Sequence, residues 1–165
     1  MARKVFYSFH YKPDNWRASQ VRNIGVIEGN VPVSDNDWEA ITRGGDDAIK
    51  KWIAEQLNGR SCTVVLVGRD TAGRKWINYE IVESWNSNKG VVGICIHNLK
   101  DKDQNQSSKG RNPFDDISLG NSGNRLSSVV KLYDPPYSQS TNVYDYIKNN
   151  LESWVEEAIS IRNIT

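Results

Sequence analysis

Two stretches of this sequence hold residue types that could do chemistry. The first is Trp76-Ile77-Asn78-Tyr79-Glu80. Trp76 and Glu80 are four apart, so on a helix they are neighbours on one face. Ile77, Ile81 and Trp85 would form the buried stripe of that helix, and Glu80 falls at its rim. A carboxylate at a rim can be half-buried beside an aromatic ring and still face a cleft. The competing reading is a solvated glutamate paired with Arg74 or Lys75. The second stretch is Ser8-Phe9-His10-Tyr11. His10 has the chemistry of a general acid or base, or of a loop histidine that hydrogen-bonds the backbone. A Ser8–His10 nucleophile pair lacks a third member, which argues against a hydrolase triad. His97 is equally isolated, and two lone histidines do not make a metal site, so no metal is expected.

The elements that must position these residues alternate. Lys4–Phe9 reads as a short buried strand, Trp16–Arg22 as a short helix and Ile24–Val33 as a weaker strand closed by Gly29 and Pro32. Asp46–Leu57 is an amphipathic helix, with Ile49, Trp52, Ile53 and Leu57 on one stripe and Asn58-Gly59 as its stop. Ser61–Gly68 is a continuous apolar run, the mark of a central parallel strand covered on both faces. Lys75–Ser87 is the next helix, Val91–Ile96 a buried strand, and His97–Asn124 a long polar loop. Ser128–Tyr133 reads as a fifth strand, broken by Pro135 and Pro136, and Thr141–Ile161 as a closing helix. This alternation argues for a doubly wound α/β sheet with flavodoxin-like strand order. Such sheets bind ligands at the carboxyl ends of their strands, which is where Ser8–Tyr11 and the segment before Trp76 would lie.

The common ligands of that architecture are not supported. A phosphoacceptor receiver needs acidic residues after the first strand, and a flavodoxin needs a Ser/Thr/Gly-rich phosphate loop. Neither is present, nor is GxxxxGK[ST] or GxGxxG. Composition narrows the class further. The 165 residues are 38% hydrophobic and 25% charged, with a net charge of +1. That length suits one domain spanning residues 1–165, and the balanced charge argues against nucleic acid. No run approaches membrane-spanning length, and the start MARKVFYSF does not read as a signal peptide. Cys62 and Cys95 sit in apolar runs without ligand spacing, as buried thiols of a reduced, cytoplasmic protein.

Several blocks, in one order, resemble the TIR-like proteins of the Thoeris bacterial antiphage defence system. They are KVFYSFHY at Lys4–Tyr11, DWEAI at Asp37–Ile41, DDAIKKWI at Asp46–Ile53 and VVLVGRDTAGRKWINYEI at Val64–Ile81, followed by VVGICI at Val91–Ile96 and KGRNPFD at Lys109–Asp115. The resemblance implies a TIR-like, flavodoxin-like three-layer sandwich with a five-stranded, mainly parallel sheet. It implies an enzyme that cleaves the nicotinamide–ribose bond of NAD⁺ and makes an ADP-ribose-derived signal, either a cyclic ADP-ribose isomer or an ADP-ribose conjugate. That diffusible nucleotide would activate a separate antiphage effector. NAD⁺ is then the substrate, and no cofactor is implied. A phage-derived trigger and self-association fit the same picture; nucleic acid and membrane do not.

The family's catalytic glutamate falls on Glu80. The substrate pocket would draw on Phe6, Ser8, Phe9, His10 and Tyr11 of the first-strand loop, on Trp38 and Trp76, and on Asn112 and Asp115. One carboxylate suffices for this bond. Nicotinamide leaves as a neutral group already activated by its positive charge, so no second carboxylate is needed to protonate it. Two rival readings keep the fold and drop the chemistry: a TIR-like module that binds another protein, and a sensor that holds a nucleotide without consuming it. A glycosyl-transferring enzyme of free nucleosides would act on the same type of bond.

Overall fold

The computed structural model describes residues 2–31 and 35–165, with backbone alone at 35–37. Four parallel strands form one sheet in the order β1-β2-β3-β4. They are β1 (Val5–Ser8), β2 (Cys62–Val67), β3 (Gly90–Cys95) and β4 (Leu132–Tyr133). Val5 lies opposite Cys62 and Ser8 opposite Val65, while Cys62 lies opposite Gly90 and Val67 opposite Cys95. Every residue of β1, β2 and β3 is buried, as expected of parallel strands covered on both faces.

Among the described residues there are five α-helices: α1 (Tyr11–Arg22), α2 (Asp35–Arg43), which packs on the next helix, α3 (Asp46–Leu57), α4 (Lys75–Asn86) and α5 (Ser140–Asn163). Strand alternation divides the core. Val5, Tyr7, Val64, Leu66, Val92 and Ile94 meet α1 and α5 on one face, where Ala18, Val21, Ile147 and Leu151 pack. Phe6 meets Ile49 and Ile53 of α3 on the other face. Val65, Val67 and Val91 meet Ile77 and Ile81 of α4 on that same side. The three-layer α/β architecture expected from the alternation is therefore present.

Among the described residues the strand count is four where five were expected. The segment from Ile24 onward makes a single parallel bridge, Lys4 with Glu28, on the edge of β1 away from β2. Val5 N–H donates to Glu28 O at 2.8 Å there. One step along, Tyr7 N–H donates not to a strand but to the side-chain Oδ1 of Asn30, at 2.9 Å. Asn30 thus satisfies an edge donor that would otherwise be left unpaired. Gly29 allows this approach, because a Cβ there would stand 2.5 Å from the Tyr7 ring. Pro32 and Val33 lie outside the described residues.

Other bounds moved as well. The strand expected over Ser128–Tyr133 is only Leu132–Tyr133, preceded by a 3-10 turn at Leu126–Ser128 that buries Leu126. The first helix begins at Tyr11 rather than Trp16, and α2 was not anticipated. The polar loop carries a 3-10 turn at Pro113–Asp116, capped by Asn112 Oδ1, which accepts from Phe114 N–H at 2.9 Å. No described helix is long and apolar enough to cross a membrane.

Candidate active site

The carboxyl ends of β1 and β2 open on a cleft of about 1560 Å³. Helix α4 carries Glu80 into it. Ile77, Ile81 and Ser84 of α4 are buried against the sheet, which fixes the face that Glu80 presents. A hydroxyl pair pins this turn. Ser84 Oγ donates to the carbonyl of Glu80 at 2.6 Å, which leaves Thr63 Oγ1 of β2 to donate to Ser84 Oγ at 2.6 Å.

The Glu80 carboxylate receives one hydrogen bond among the described residues, from Ser8 Oγ to Oε1 at 2.7 Å. No lysine, arginine or histidine among the described residues lies within ion-pair distance of it. Glu80 is 8% exposed, and it lines the cleft. Burial pushes its carboxyl up to about 8, against the opposing pull of the Ser8 hydrogen bond. This excludes the solvated glutamate: Lys75 instead pairs with Asp46 at 2.7 Å, and Arg74 Nε donates to the Asp70 carbonyl. A buried carboxyl raised by desolvation, without an ion-pair partner among the described residues and facing a cleft, makes Glu80 the candidate functional residue.

Most of the expected site residues gather here. Phe6, Phe9, His10, Tyr11, Trp38 and Trp76 line the cleft with Glu80. Ser8 is 1% exposed and meets the cleft only through its hydrogen bond to Glu80. Phe6 is 1% exposed and forms wall rather than clamp, its ring edge-on to Trp52 at 6.4 Å. Trp38 meets Trp52 edge-on at 5.6 Å, and Phe9 stacks on Tyr11 at 6.2 Å. His10 Nδ1 is buried without a hydrogen-bond partner, so this histidine does not bond the backbone through that atom. Its protonation is held below the usual range first by burial and then by Arg74, with Asp70 opposing.

Two expected residues are not brought to the cleft. Asn112 lines a separate cavity of about 490 Å³ beside β4, where its side chain serves as the cap of the 3-10 turn. Asp115 is exposed, and its carbonyl accepts from Arg125. The cleft recruits others in their place. Arg69, Arg74 and Arg111 stand at its mouth, with Arg111 reaching within 3.2 Å of where a Cβ on Gly73 would be. Trp16 is 53% exposed on the α1 lip. The arginines' charge was visible in the sequence; their convergence was not, because Arg111 arrives from a distant loop.

The sequence comparisons bear on this arrangement. Residues 6–101 match the model of the family described as Thoeris protein ThsB, TIR-like domain. The chain belongs to that family. The matched segment runs from β1 through β3 and contains Ser8 and Glu80, but neither Asn112 nor Asp115. One relative within reach of this TIR-like chain is a Bacillus cereus (strain MSX-D12) protein named "Putative cyclic ADP-D-ribose synthase ThsB1". The two are 40% identical over 120 residues, which is 70% of this chain and 62% of the relative. The chain thus spans less than two thirds of the length of that ThsB1 protein.

Proposed function

We propose that this protein cleaves the nicotinamide–ribose bond of NAD⁺ at Glu80 and converts the remainder into an ADP-ribose-derived signal. The observation that carries the reading is a buried carboxylate without a cationic partner, open to a cleft at the carboxyl ends of the strands. The name of the B. cereus relative supports a cyclic ADP-ribose product, with a conjugate as the second candidate.

The chemistry follows from the site's charge. NAD⁺ brings a positively charged nicotinamide ring. Placed beside a carboxyl that burial has raised to about 8, that cation favours the ionised form and draws the proton off. The carboxylate then faces the ribose as the C1′–N bond breaks and the bonding pair leaves with nicotinamide. It stabilises the oxocarbenium character that develops on the sugar. Arg69, Arg74 and Arg111 offer bidentate donors to the pyrophosphate at the mouth. Trp16 and the stacked Phe9–Tyr11 pair offer aromatic faces to the bases. The cleft exceeds the roughly 300–1,000 Å³ of ordinary small-molecule pockets, which suits a dinucleotide folded back on itself. Water at the cation gives ADP-ribose; the adenosine part, held close with water excluded, gives the cyclic isomer.

In this reading the product diffuses to a separate effector during phage infection, NAD⁺ is substrate and no cofactor takes part. The test expresses the protein and Glu80→Gln in bacteria, challenges both with phage, and follows nucleotides by liquid chromatography and mass spectrometry. Glu80-dependent loss of NAD⁺ with a new ADP-ribose-type nucleotide is the expected result. Equal NAD⁺ in both strains across several phages, with both proteins folded, would transfer the reading to a protein-binding module.

A further inference from the structure

Away from Glu80, at the carboxyl ends of β3 and β4, three ligand-type side chains converge. Cys95 ends β3, His97 follows two residues later, and Asp134 follows the last residue of β4. Topology explains the meeting. Ile94 lies opposite Tyr133 in the parallel register, so Cys95 and Asp134 come next on adjacent strands. Ile96 N–H still donates to Val67 O at 2.9 Å, so the chain stays extended and Cys95 and His97 project to the same side. Cys95 Sγ, a ring nitrogen of His97 and a carboxylate oxygen of Asp134 lie within 4.8 Å of one another. Among the described residues this is the one such group of three.

A buried cysteine alone is usually a small core residue. Here a second observation points outward. His97 is 7% exposed, yet its Nδ1 has no hydrogen-bond partner. A buried ring nitrogen left unpaired is unfavourable unless something occupies its lone pair or its proton. Asp134 pairs with Lys109, whose Nζ lies 3.0 Å from Oδ2, and a carboxylate has a second oxygen to offer a metal. Cys95 and His97 are buried while Asp134 is exposed.

We propose that Cys95, His97 and Asp134 bind a Zn²⁺ ion, with water in the fourth position. Thiolate, imidazole and carboxylate together suit this borderline cation and its tetrahedral preference. At ordinary bond lengths the three ligand atoms would sit about 3.3–3.6 Å apart, so the group, now within 4.8 Å, closes by up to about 1.5 Å on binding. Binding displaces the Cys95 thiol proton to solvent, so affinity rises with pH. The thiolate and the carboxylate neutralise the ion, and Lys109 remains paired with the outer carboxylate oxygen. The ion would tie the end of β3 to the end of β4 beside the loop that supplies Asp101, Lys102 and Asp103 to the cleft. This assignment is independent of the NAD⁺ reading.

The test titrates the metal-stripped, reduced full chain with Co²⁺ and then Zn²⁺. One equivalent of Co²⁺ should produce thiolate-to-cobalt charge-transfer absorption, and Zn²⁺ should abolish it. Zn²⁺ at a hundredfold excess over Kd should raise the unfolding midpoint by about 5–10 °C. Cys95→Ser should remove the absorption, and Asp134→Ala should weaken binding at least about tenfold. No charge-transfer band in the folded chain, or an undiminished band in Cys95→Ser, overturns the assignment. Should Cys95→Ser fail to fold, Asp134→Ala decides, since Asp134 is exposed: unchanged affinity there overturns it as well.

Discussion

Two buried carboxylates, Asp14 and Glu80, show how differently the same group can be housed. Asp14 on α1 is 2% exposed and Glu80 on α4 is 8% exposed. Burial raises both from their ordinary values, against Arg17 in Asp14 and against Ser8 in Glu80, which reaches about 8. Asp14 has a resident cation. Its Oδ1 is 3.1 Å from Arg17 Nη1, and Arg17 is itself fixed by donating to Leu99 O at 2.8 Å and Asn105 O at 2.9 Å. Gly68 packs directly on the other Asp14 oxygen, where a Cβ would fall 2.0 Å from Oδ2, and that oxygen is buried without a hydrogen-bond partner. Among the described residues Glu80 has only a neutral hydroxyl and an open cleft. Asp14 thus has its counter-charge within the fold, on one oxygen; Glu80, under the proposed function, takes its counter-charge from the ligand. The lesson concerns recognition of function: burial alone does not separate the two, whereas the absence of an internal counter-charge does.

The largest break in that comparison is Glu80→Gln, which should move activity and stability in opposite directions. Cleavage of NAD⁺ should fall by about two to three decades, or roughly 2.7–4 kcal/mol of lost electrostatic stabilisation. The fold should gain. The Glu80 carboxyl is higher in the folded protein, about 8, than in the unfolded chain. Its stabilising contribution is therefore full below the unfolded value and is lost as pH rises through 8. Replacing it with a neutral amide removes that loss. Thermal unfolding should show the variant more stable than the parent by several kcal/mol at pH 9 and near parity at pH 4. A variant less stable than the parent at pH 9 would show that Glu80 has an internal partner after all.

Arg17→Met breaks the other half. It strands the buried Asp14 without its cation, and removal of one member of a buried pair costs about 3–5 kcal/mol. Because Arg17 also holds the carbonyls of Leu99 and Asn105, the variant should loosen the segment from His97 to Ser107. Denaturant unfolding measures the first effect and amide exchange the second. Refolding in milder conditions should return NAD⁺ cleavage, because Asp14 takes no part in it. Full stability with lost activity would reverse the roles assigned to the two carboxylates. Deleting the 104–108 tip of this loop removes Asn105, and with it an Arg17 contact; nucleotide analysis should show a changed product or trigger response, and no change in either would make the tip a passive connection.

How far the sequence alone reached follows the range of the interactions. Trp76 and Glu80 share one helix, so their spacing placed the carboxylate at the edge of a buried stripe. Its donor, Ser8, lies 72 residues away and meets it only because β1 pairs with β2, a relation no local pattern carries. Arg111 and the Cys95–His97–Asp134 group are hidden for the same reason: strand register and a returning loop create them. The strand errors have a different origin. Apolar residues from Val129 to Leu132 mimic a strand, but Val130 is buried from an irregular turn. Around Glu28, one bridge and the Asn30 side chain replace a pairing that β-propensity suggested. In the nine residues of α2, Trp38 and Ile41 alone supply too few apolar positions to set a helical period.

The smallest effect sharpens the comparison most. Ser8→Ala removes the one hydrogen bond that favours the ionised form of Glu80 and leaves the carboxyl buried. The carboxyl should then rise above 8, since nothing opposes burial. A hydrogen bond to a charged group contributes about 1.5–3 kcal/mol, so kcat/KM at neutral pH should fall by about one to two decades. The loss should not be uniform. The rising limb of kcat/KM against pH reports the free enzyme, and it should move to higher pH in the variant. The limb of kcat reports the complex, where the nicotinamide cation supplies the missing counter-charge, and it should move less. The two proteins should therefore converge at high pH if Ser8 works by holding Glu80 ionised. A deficit that stays constant across the whole pH range would instead place the Ser8 hydroxyl on the substrate. Glu80 would then depend on its ligand alone for the charge that Arg17 gives to Asp14.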